Sequence, residues 1–457
     1  MFLSDQGRDA IIIKRIVTLE HFPAIGAPTS IGQVFLGPFY YYLISPFLAL
    51  FNFNPVGLAF GVAFLSIIGL IASYIAVKHE LSKKTALLFL IFAGFSYIQI
   101  ENSRFSWNPN LLPIFSFFTL YFFYKTLKDK KYLFAVLFGS FLSFCFQLHY
   151  LSALLIIPIL FFSITHLLKT KKKTIFILQI ICAFFSFLFW NIPLILFDIR
   201  HNFLNSTNFI KLFTEQKIVQ KASFLSRLLE VNNGFFSALA KIQVPSIIAL
   251  IILIFILLVL FSRIHTKKYH QRLFILIHAV NFISFMIFFT LLNSPNHPHY
   301  YGQIYLSFFL IISFILISFK KDSAFKNILI IFFVIIYIFF NAKNYNFLFN
   351  KSQNQIGHSK KVAEFLSEKI GSKPFNISTW PVDFSEDNYL YFLELKGQVP
   401  VNRENHEITD QMFVLCNTKP CLVINSPSWN ISMFGKAKID KIWSIKNIEV
   451  FKLIHDR

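Results

Sequence analysis

Charge is what this sequence has least of. Only 14% of its 457 residues are Asp, Glu, Lys or Arg, where soluble domains carry roughly 25%, so an ordinary water-soluble fold is excluded. Acids are scarcest, 22 against 43 Lys and Arg, for a net charge of +21. The long apolar runs have almost no ionisable residue in their middles; His278 is the main exception. Ion-coupled transporters need such groups at membrane depth, and a lone His is more often packed or hydrogen-bonded. There is no internal repeat and no inverted symmetry between halves, as many transporters show. The four cysteines say little. Cys145 and Cys182 lie in apolar runs and read as packing residues, while Cys416 and Cys421 lie in a polar tail, where an extracytoplasmic setting permits a disulfide without requiring one.

What is present is hydrophobicity: 55% of residues, with a mean hydropathy of +0.59. Apolar runs near 56–77, 85–100, 110–126, 132–148, 151–167, 174–197, 246–262, 273–292, 302–319 and 327–342 predict about ten membrane helices. The 62 Phe accompany many Ile, Lys and Asn, a mixture that an AT-rich coding sequence produces and that carries no functional weight. The excess of Lys and Arg does not indicate nucleic acid as a partner. It sits largely in short loops at 78–84, 125–131, 169–173, 263–272 and 320–326, the mark of cytoplasmic loops in a membrane protein. Alternation places all five on one side. The stretches 101–109, 149–150, 198–245 and 293–301 and the tail from Lys343 then fall outside.

This parity constrains the start. If 34–53 crosses the membrane, residues 1–32 are cytoplasmic; if not, they are outside. Gly37-Pro38, Ser45-Pro46 and the triplet Tyr40, Tyr41, Tyr42 favour a re-entrant or interfacial helix. Residues 6–20 also read as interfacial, with Ile12, Ile13, Ile16 and Val17 in one stripe. An outside start with no span ahead of it leads us to expect a missing upstream membrane helix. The expected division is an outer segment with juxtamembrane helices (1–55), a membrane domain (56–342) and a small extracytoplasmic α/β domain (343–457). In the last, 375–379, 412–416, 421–425 and 449–454 read as strands, and 360–370 and 388–395 as helices.

Polar clusters fall on the predicted outer face. In Ser4-Asp5-Gln6-Gly7-Arg8-Asp9, Asp5 is a candidate general base or cation ligand; helix capping is the plainer reading. Asp9, four residues on, shares its face if the helix starts early, and Arg8 either holds Asp5 or binds a lipid phosphate. In 101–110, Arg104 suits bidentate phosphate binding and Glu101 offers a second acid; alternatively Trp107 is an interfacial anchor and Pro109 opens the next helix. In 293–301, the two His (His297, His299) and two Tyr (Tyr300, Tyr301) suit a phosphate or a sugar, although a Pro-rich turn with interfacial Tyr accounts for them equally; His-X-His alone is weak evidence for a metal. His149-Tyr150 and Asp198-Ile199-Arg200-His201 complete the set, Asp198 with Arg200 reading as a local ion pair worth under about 1 kcal/mol.

Four stretches carry a family resemblance: Asp5-Gln6-Gly7-Arg8-Asp9-Ala10, Gly32-Gln33-Val34-Phe35-Leu36-Gly37-Pro38-Phe39-Tyr40-Tyr41, Ser103-Arg104-Phe105-Ser106-Trp107-Asn108-Pro109-Asn110 and Pro298-His299-Tyr300. In order and sidedness the chain resembles the C-type polytopic membrane glycosyltransferases, in the branch of the protein O-mannosyltransferases and the lipid A aminoarabinose transferase. The resemblance implies a polyprenyl-phosphate sugar as donor, a protein, lipid or glycan acceptor, and inverting hexosyl or pentosyl transfer on the extracytoplasmic face of the plasma (inner) membrane. It maps the family's first-loop acid to Asp5. The neighbour, often a second acid, is Gln6 here, so Asp9 is the substitute. Arg104 takes the place of the family's post-span arginine and, with Arg8, His299 and Tyr300, would contact the donor phosphate; Asp9 and Glu101 would support acceptor or metal. Some C-type relatives use a divalent cation and others do not, so a metal stays open. In that family a first membrane helix precedes this loop and juxtamembrane helices follow its acid, which implies a surface position for 34–53. A lipid or polysaccharide flippase or other transporter, and a non-catalytic envelope scaffold, are the competing readings.

Overall fold

The computed structural model describes residues 2–29, 34–214, 223–241, 243–292, 295–319, 324–381, 383–401 and 405–456. Gly32-Gln33 of the family stretch, Asn293-Ser294 and the first residues of the last basic loop lie outside these. The helices run α1 Ser4–Val17, α2 Phe39–Leu50, α3 Val56–Glu80, α4 Lys83–Gly94, α5 Tyr97–Ser103, α6 Leu112–Lys128, α7 Tyr132–Leu148, α8 Ile156–Lys169, α9 Lys173–Arg200, α10 Leu204–Thr214, α11 Phe224–Ala240, α12 Ser246–Ile264, α13 Tyr269–Leu291, α14 Gly302–Ser318, α15 Ala324–Ala342, α16 Asn346–Phe349, α17 Gln355–Ile370, α18 Asp387–Glu394 and α19 Trp429–Ser432. The strands are β1 Asn376–Trp380, β2 Gln411–Cys416, β3 Ala437–Ile445 and β4 Ile448–His455. The chain forms two compact units, one of residues 1–22, 45–58 and 351–457, the other of 23–44 and 59–350.

The second unit is a polytopic helical bundle. Among the described residues seven helices are long and apolar enough to cross a membrane, and the pair α4–α5, bent by 62°, makes up to eight. The 17-residue α6 and α7 account for the remaining two expected spans. By contrast α2 has 12 residues, about 18 Å of helix against a hydrocarbon core of about 30 Å. Helix α14 is the centre: 83% of its apolar window is buried, against 6% for α15, which keeps Phe332 and Ile335 exposed as a lipid-facing helix does. Buried polar side chains join the central helices. The Asn281 Oδ1 accepts from Gln303 Nε2 at 2.8 Å, Ser116 Oγ donates to the Gln303 carbonyl, and His278 Nδ1 lies 2.9 Å from Ser307 Oγ. Such interhelical bonds are the usual polar glue of membrane bundles, so His278 is a packed histidine. A Cβ on Gly139 would lie 2.0 Å from the Ala183 carbonyl oxygen; the missing side chain is what lets α7 and α9 cross closely.

The described residues of the basic loops meet at one end of this bundle, Lys172 lying beside Lys130. Glu80, closing α3, pairs with Lys128 at 2.7 Å and Lys125 at 3.6 Å. Gln179 of α9 donates to the Asp129 carbonyl, Gln271 Nε2 to that of Leu81, and Arg263 lies over Phe319, whose carbonyl accepts from Lys326. The stretches expected on the other face also meet one another: Tyr301 Oη donates to the Val231 carbonyl and Asn108 Nδ2 to that of Leu148.

The first unit is α/β. Its sheet has the order β1-β2-β4-β3, with β1 and β2 parallel and the other pairs antiparallel. Helix α18 is the crossover between the parallel strands, as a parallel pair requires. Met412, Val414, Phe451 and Leu453 form a core with Val423, Ile431 and Phe434. Two expectations for the tail fail. Residues 421–425 form no strand, because the Cys416–Cys421 disulfide turns the chain immediately after β2. The fourth strand is β3, an edge strand exposed along most of its length and rich in Lys.

Helix α1 belongs to this unit and docks on α18. Its buried face is Gln6, Gly7, Asp9, Ala10, Ile13 and Ile16, so only part of the expected Ile12-Ile13-Ile16-Val17 stripe is used and the helix covers protein. A Cβ on Gly7 would come within 2.3–2.6 Å of Asp387 and Asn388 backbone atoms. The contact is locked by Arg15, whose Nε donates to Glu394 Oε1 at 2.9 Å and Nη2 to Glu394 Oε2 at 3.0 Å. That carboxylate is the first cause holding the Arg15 pKa above its ordinary value; burial opposes it.

Candidate functional site

The candidate residues divide between the two units. In the first, the early helix start puts Asp5 and Asp9 on one face, with Arg8 between them: Nη1 to Asp5 Oδ1 is 3.0 Å and Nη2 to Asp9 Oδ1 is 2.8 Å. Capping does not explain Asp5. The N-cap position is Leu3, and Gln6 Oε1 accepts its backbone N–H at 3.1 Å; Asp5 sits inside the first turn, where a carboxylate favours the helix dipole. Asp9 is fully buried, whereas the Asp5 side chain keeps 46% of its surface. So one carboxylate anchors Arg8 and the other is presented. Arg8 occupies the position that a divalent cation bridging Asp5 and Asp9 would need, and the pair does not fit such an ion. Among the described residues no three His, Cys, Asp or Glu side chains form a metal-holding group.

Asp387, at the start of α18, completes this surroundings. Burial, and secondarily Asp5, hold its carboxyl above the usual carboxylate range, opposed by Ser385 and Arg8. Sequence reasoning missed Asp387; its 382-residue separation from Asp5 left no periodic signal.

In the membrane unit, three separate stretches expected on the outer face converge on His299. Trp107 packs edge-on against it with centroids 4.5 Å apart, Tyr300 lies at 4.5 Å, His149 at 5.7 Å and His297 at 5.6 Å. Asn108, tied to the end of α7, and Asn110 Nδ2, donating to the Phe105 carbonyl at 2.9 Å, fix the turn that carries Trp107. Trp107 is therefore seated on protein and not solely an interfacial anchor. His149 Nδ1 accepts the Leu151 N–H at 3.2 Å, which places its proton on Nε2. Burial, then neighbouring His299, push His149 down to about 3, so it is an uncharged donor at neutral pH. His149 and Trp107 had no assigned catalytic chemistry in the sequence because their partner His299 is far away along the chain.

Arg104 caps α5 and lies 3.7 Å over the Phe347 ring. Among the described residues no carboxylate pairs with it, which leaves a guanidinium fork for a ligand. Glu101 is exposed one turn earlier. Nearby, a cavity of about 120 Å³ is bounded mainly by apolar side chains, among them Ile67, Leu70, Ile100 and Leu306, with the amides of Gln99 and Asn110 and the hydroxyls of Ser66 and Ser103 also in its lining. The Asp198 expectation fails: its carboxylate accepts from the Asn205 and Ser206 backbone N–H groups and the Ser206 hydroxyl and serves to hold the α9–α10 turn instead of pairing with Arg200.

The helical bundle, the bent and short helices beside its loops and the small sheet define a polytopic helical membrane protein with a small α/β unit. Residues 36–190 match the model of the dolichyl-phosphate-mannose-protein mannosyltransferase family. The fold is similar to that of ArnT from Cupriavidus metallidurans bound to undecaprenyl phosphate, with TM-score 0.63, 11% identity, and 99% of this chain and 94% of that one covered. The apo state of the same ArnT gives TM-score 0.61 at 10% identity with the same coverage. The apo Archaeoglobus fulgidus oligosaccharyltransferase gives TM-score 0.50 at 11% identity, covering 90% and 63%. No curated protein matches the sequence. The family resemblance read from the sequence, to the protein mannosyltransferase and ArnT branch, is borne out by the family model and by the fold.

Proposed function

We propose that this protein transfers a sugar from a polyprenyl-phosphate donor to an acceptor at the extracytoplasmic face, with inversion at the anomeric carbon. The similarity to an ArnT bound to undecaprenyl phosphate, over 99% of the chain, carries this reading. The family-model match and the unpaired Arg104 fork support it. In the proposed step the acceptor hydroxyl or amine attacks C1 opposite the phosphate, the C1–O bond breaks, and the electron pair leaves with the polyprenyl phosphate. Asp5 orients the acceptor and takes its proton. Asp9 acts through Arg8, which it holds. Arg104, His299 and Tyr300 bear the charge developing on the departing phosphate, and the neutral His149 keeps His299 in place. Glu101 is proposed as an acceptor-side acid. No step passes through a metal, since the Asp5–Asp9 pair is already bridged by Arg8.

Sidedness is part of the proposal. The basic end of the bundle is cytoplasmic by the positive-inside rule, and the disulfide of the α/β unit fits an oxidising compartment, that is, the outer face of the plasma membrane. The test is transfer by the full chain in liposomes from labelled polyprenyl-phosphate hexoses and pentoses. Asp5→Asn is expected to lower turnover by about 10²–10⁴-fold. Transfer by Asp5→Asn at the wild-type rate overturns the assignment, and solute movement without lipid donor replaces it with a transporter.

A further inference from the structure

The α/β unit contains a cleft of about 430 Å³ between the start of α1, α17, the start of α18 and the β3–β4 turn. A second cleft of about 620 Å³ adjoins it, sharing Phe2, Gln353 and Gln355 and reaching Asn54 and Asn354. Ligand sites span roughly 300–1,000 Å³. In a chain of net charge +21, no Lys or Arg among the described residues lines either cleft. The polar part of the first cleft's lining is of amides, hydroxyls, one imidazole and the carboxylate of Asp383, and Phe2, Leu3, Phe384 and Tyr389 supply the apolar part.

These groups are held in fixed orientations by one another. Asn388 Nδ2 donates to Ser359 Oγ at 2.8 Å, Gln355 Oε1 accepts the Phe2 N–H at 2.8 Å, and His358 Nε2 donates to Asn447 Oδ1 at 3.1 Å. That last bond leaves His358 Nδ1 as an acceptor and the Asn447 amide as a donor. Burial first, then Lys446, lowers the His358 pKa, so the ring is neutral and brings no cation to the cleft. Aromatic surface lies beside them: Tyr389 and Phe384 cross at 73° with centroids 6.0 Å apart. An anion such as phosphate meets the Asp383 carboxylate in the lining, while the nearby cation, Lys446, lies outside that lining. A lipid chain would strand the amides without partners. A sugar ring, whose hydroxyls both donate and accept and whose C–H face is apolar, satisfies both parts of the lining.

We propose that the joined clefts bind a neutral oligosaccharide of at least two sugar units, across the Gln353–Gln355 ridge. Its assignment as the acceptor of the transfer rests on the preceding reading; the binding itself does not. The test uses the full chain in lipid nanodiscs, with mannobiose, chitobiose and cellobiose as neutral probes and digalacturonic acid as the anionic one, followed by saturation-transfer NMR. At least one neutral disaccharide is expected to bind. The exposed-site double variant Gln353→Ala/Asn447→Ala is expected to weaken it tenfold or more, as is Asp383→Asn separately, with the thermal transition unchanged. No binding of any neutral probe, equal or tighter binding of the anionic probe, or unchanged binding by both variants overturns the proposal. Because binding is read without turnover, Asp5→Asn separates the two readings: normal transfer by that variant overturns only the catalytic assignment, and failure of the wild-type chain to bind overturns only the cleft.

Discussion

Asp387 shows how burial prepares a carboxyl beside Asp5. Its folded pKa lies above the ordinary value, with burial the leading cause. The folded protein therefore binds that proton more tightly than the unfolded chain does. Ionising Asp387 costs stability above its folded pKa, and the cost vanishes below the unfolded value of about 3.9. Asp387→Asn is expected to be more stable than wild type at pH 8, with the difference closing as pH falls toward about 4; thermal unfolding across pH reads it. A variant equally or more destabilised at pH 8 than at pH 4 contradicts this. At the same scale, the Asp5–Arg8–Asp9 row was legible in the sequence, since spacings of three and four along one helix bring side chains together. The surroundings of His299 were not: Trp107 and His149 reach it through turns fixed by Asn108 and Asn110, and single-chain periodicity carries no record of such contacts.

Helices and strands reveal a similar limit. The long helices of the bundle and α17, α18, β1, β2 and β4 follow patterns long or regular enough to read directly. The β3 strand escaped because its charged face, with Lys438, Asp440 and Lys441, belongs to an edge, and 421–425 misled because an apolar run next to a disulfide turn has no room to pair. For α1 the apolar stripe was visible, but its cover was not: an amphipathic helix looks alike whether lipid or protein takes its apolar face. Gly7 decides between them. Gly7→Ala drives a methyl into the α18 backbone and is expected to cost about 1–3 kcal/mol, the usual range for overpacking, seen as a lower melting temperature of the full chain. An unchanged melting temperature would mean that α1 is not held against α18 in this way.

At the scale of the molecule, sidedness is the feature with the widest reach. The basic loops, whose described residues gather at one end of the bundle, turn a statistical rule into one geometric statement. In right-side-out vesicles, cysteines at Lys83→Cys and Lys172→Cys are expected to react with a membrane-impermeant maleimide only after permeabilisation, and Ser352→Cys before it. The reverse pattern inverts the proposed orientation and moves the chemistry to the cytoplasmic face.

The pairing of α1 with α18 also sets an order of events during synthesis. Ile13 and Ile16 leave the ribosome early, and the surface that shelters them is made some 370 residues later, after every membrane helix. Contacts of such long range form slowly, and exposed apolar surface invites misassembly while it waits. Any truncation between α15 and α18 therefore strands an adhesive helix beside the bilayer, and quality control has a simple sign that translation did not finish.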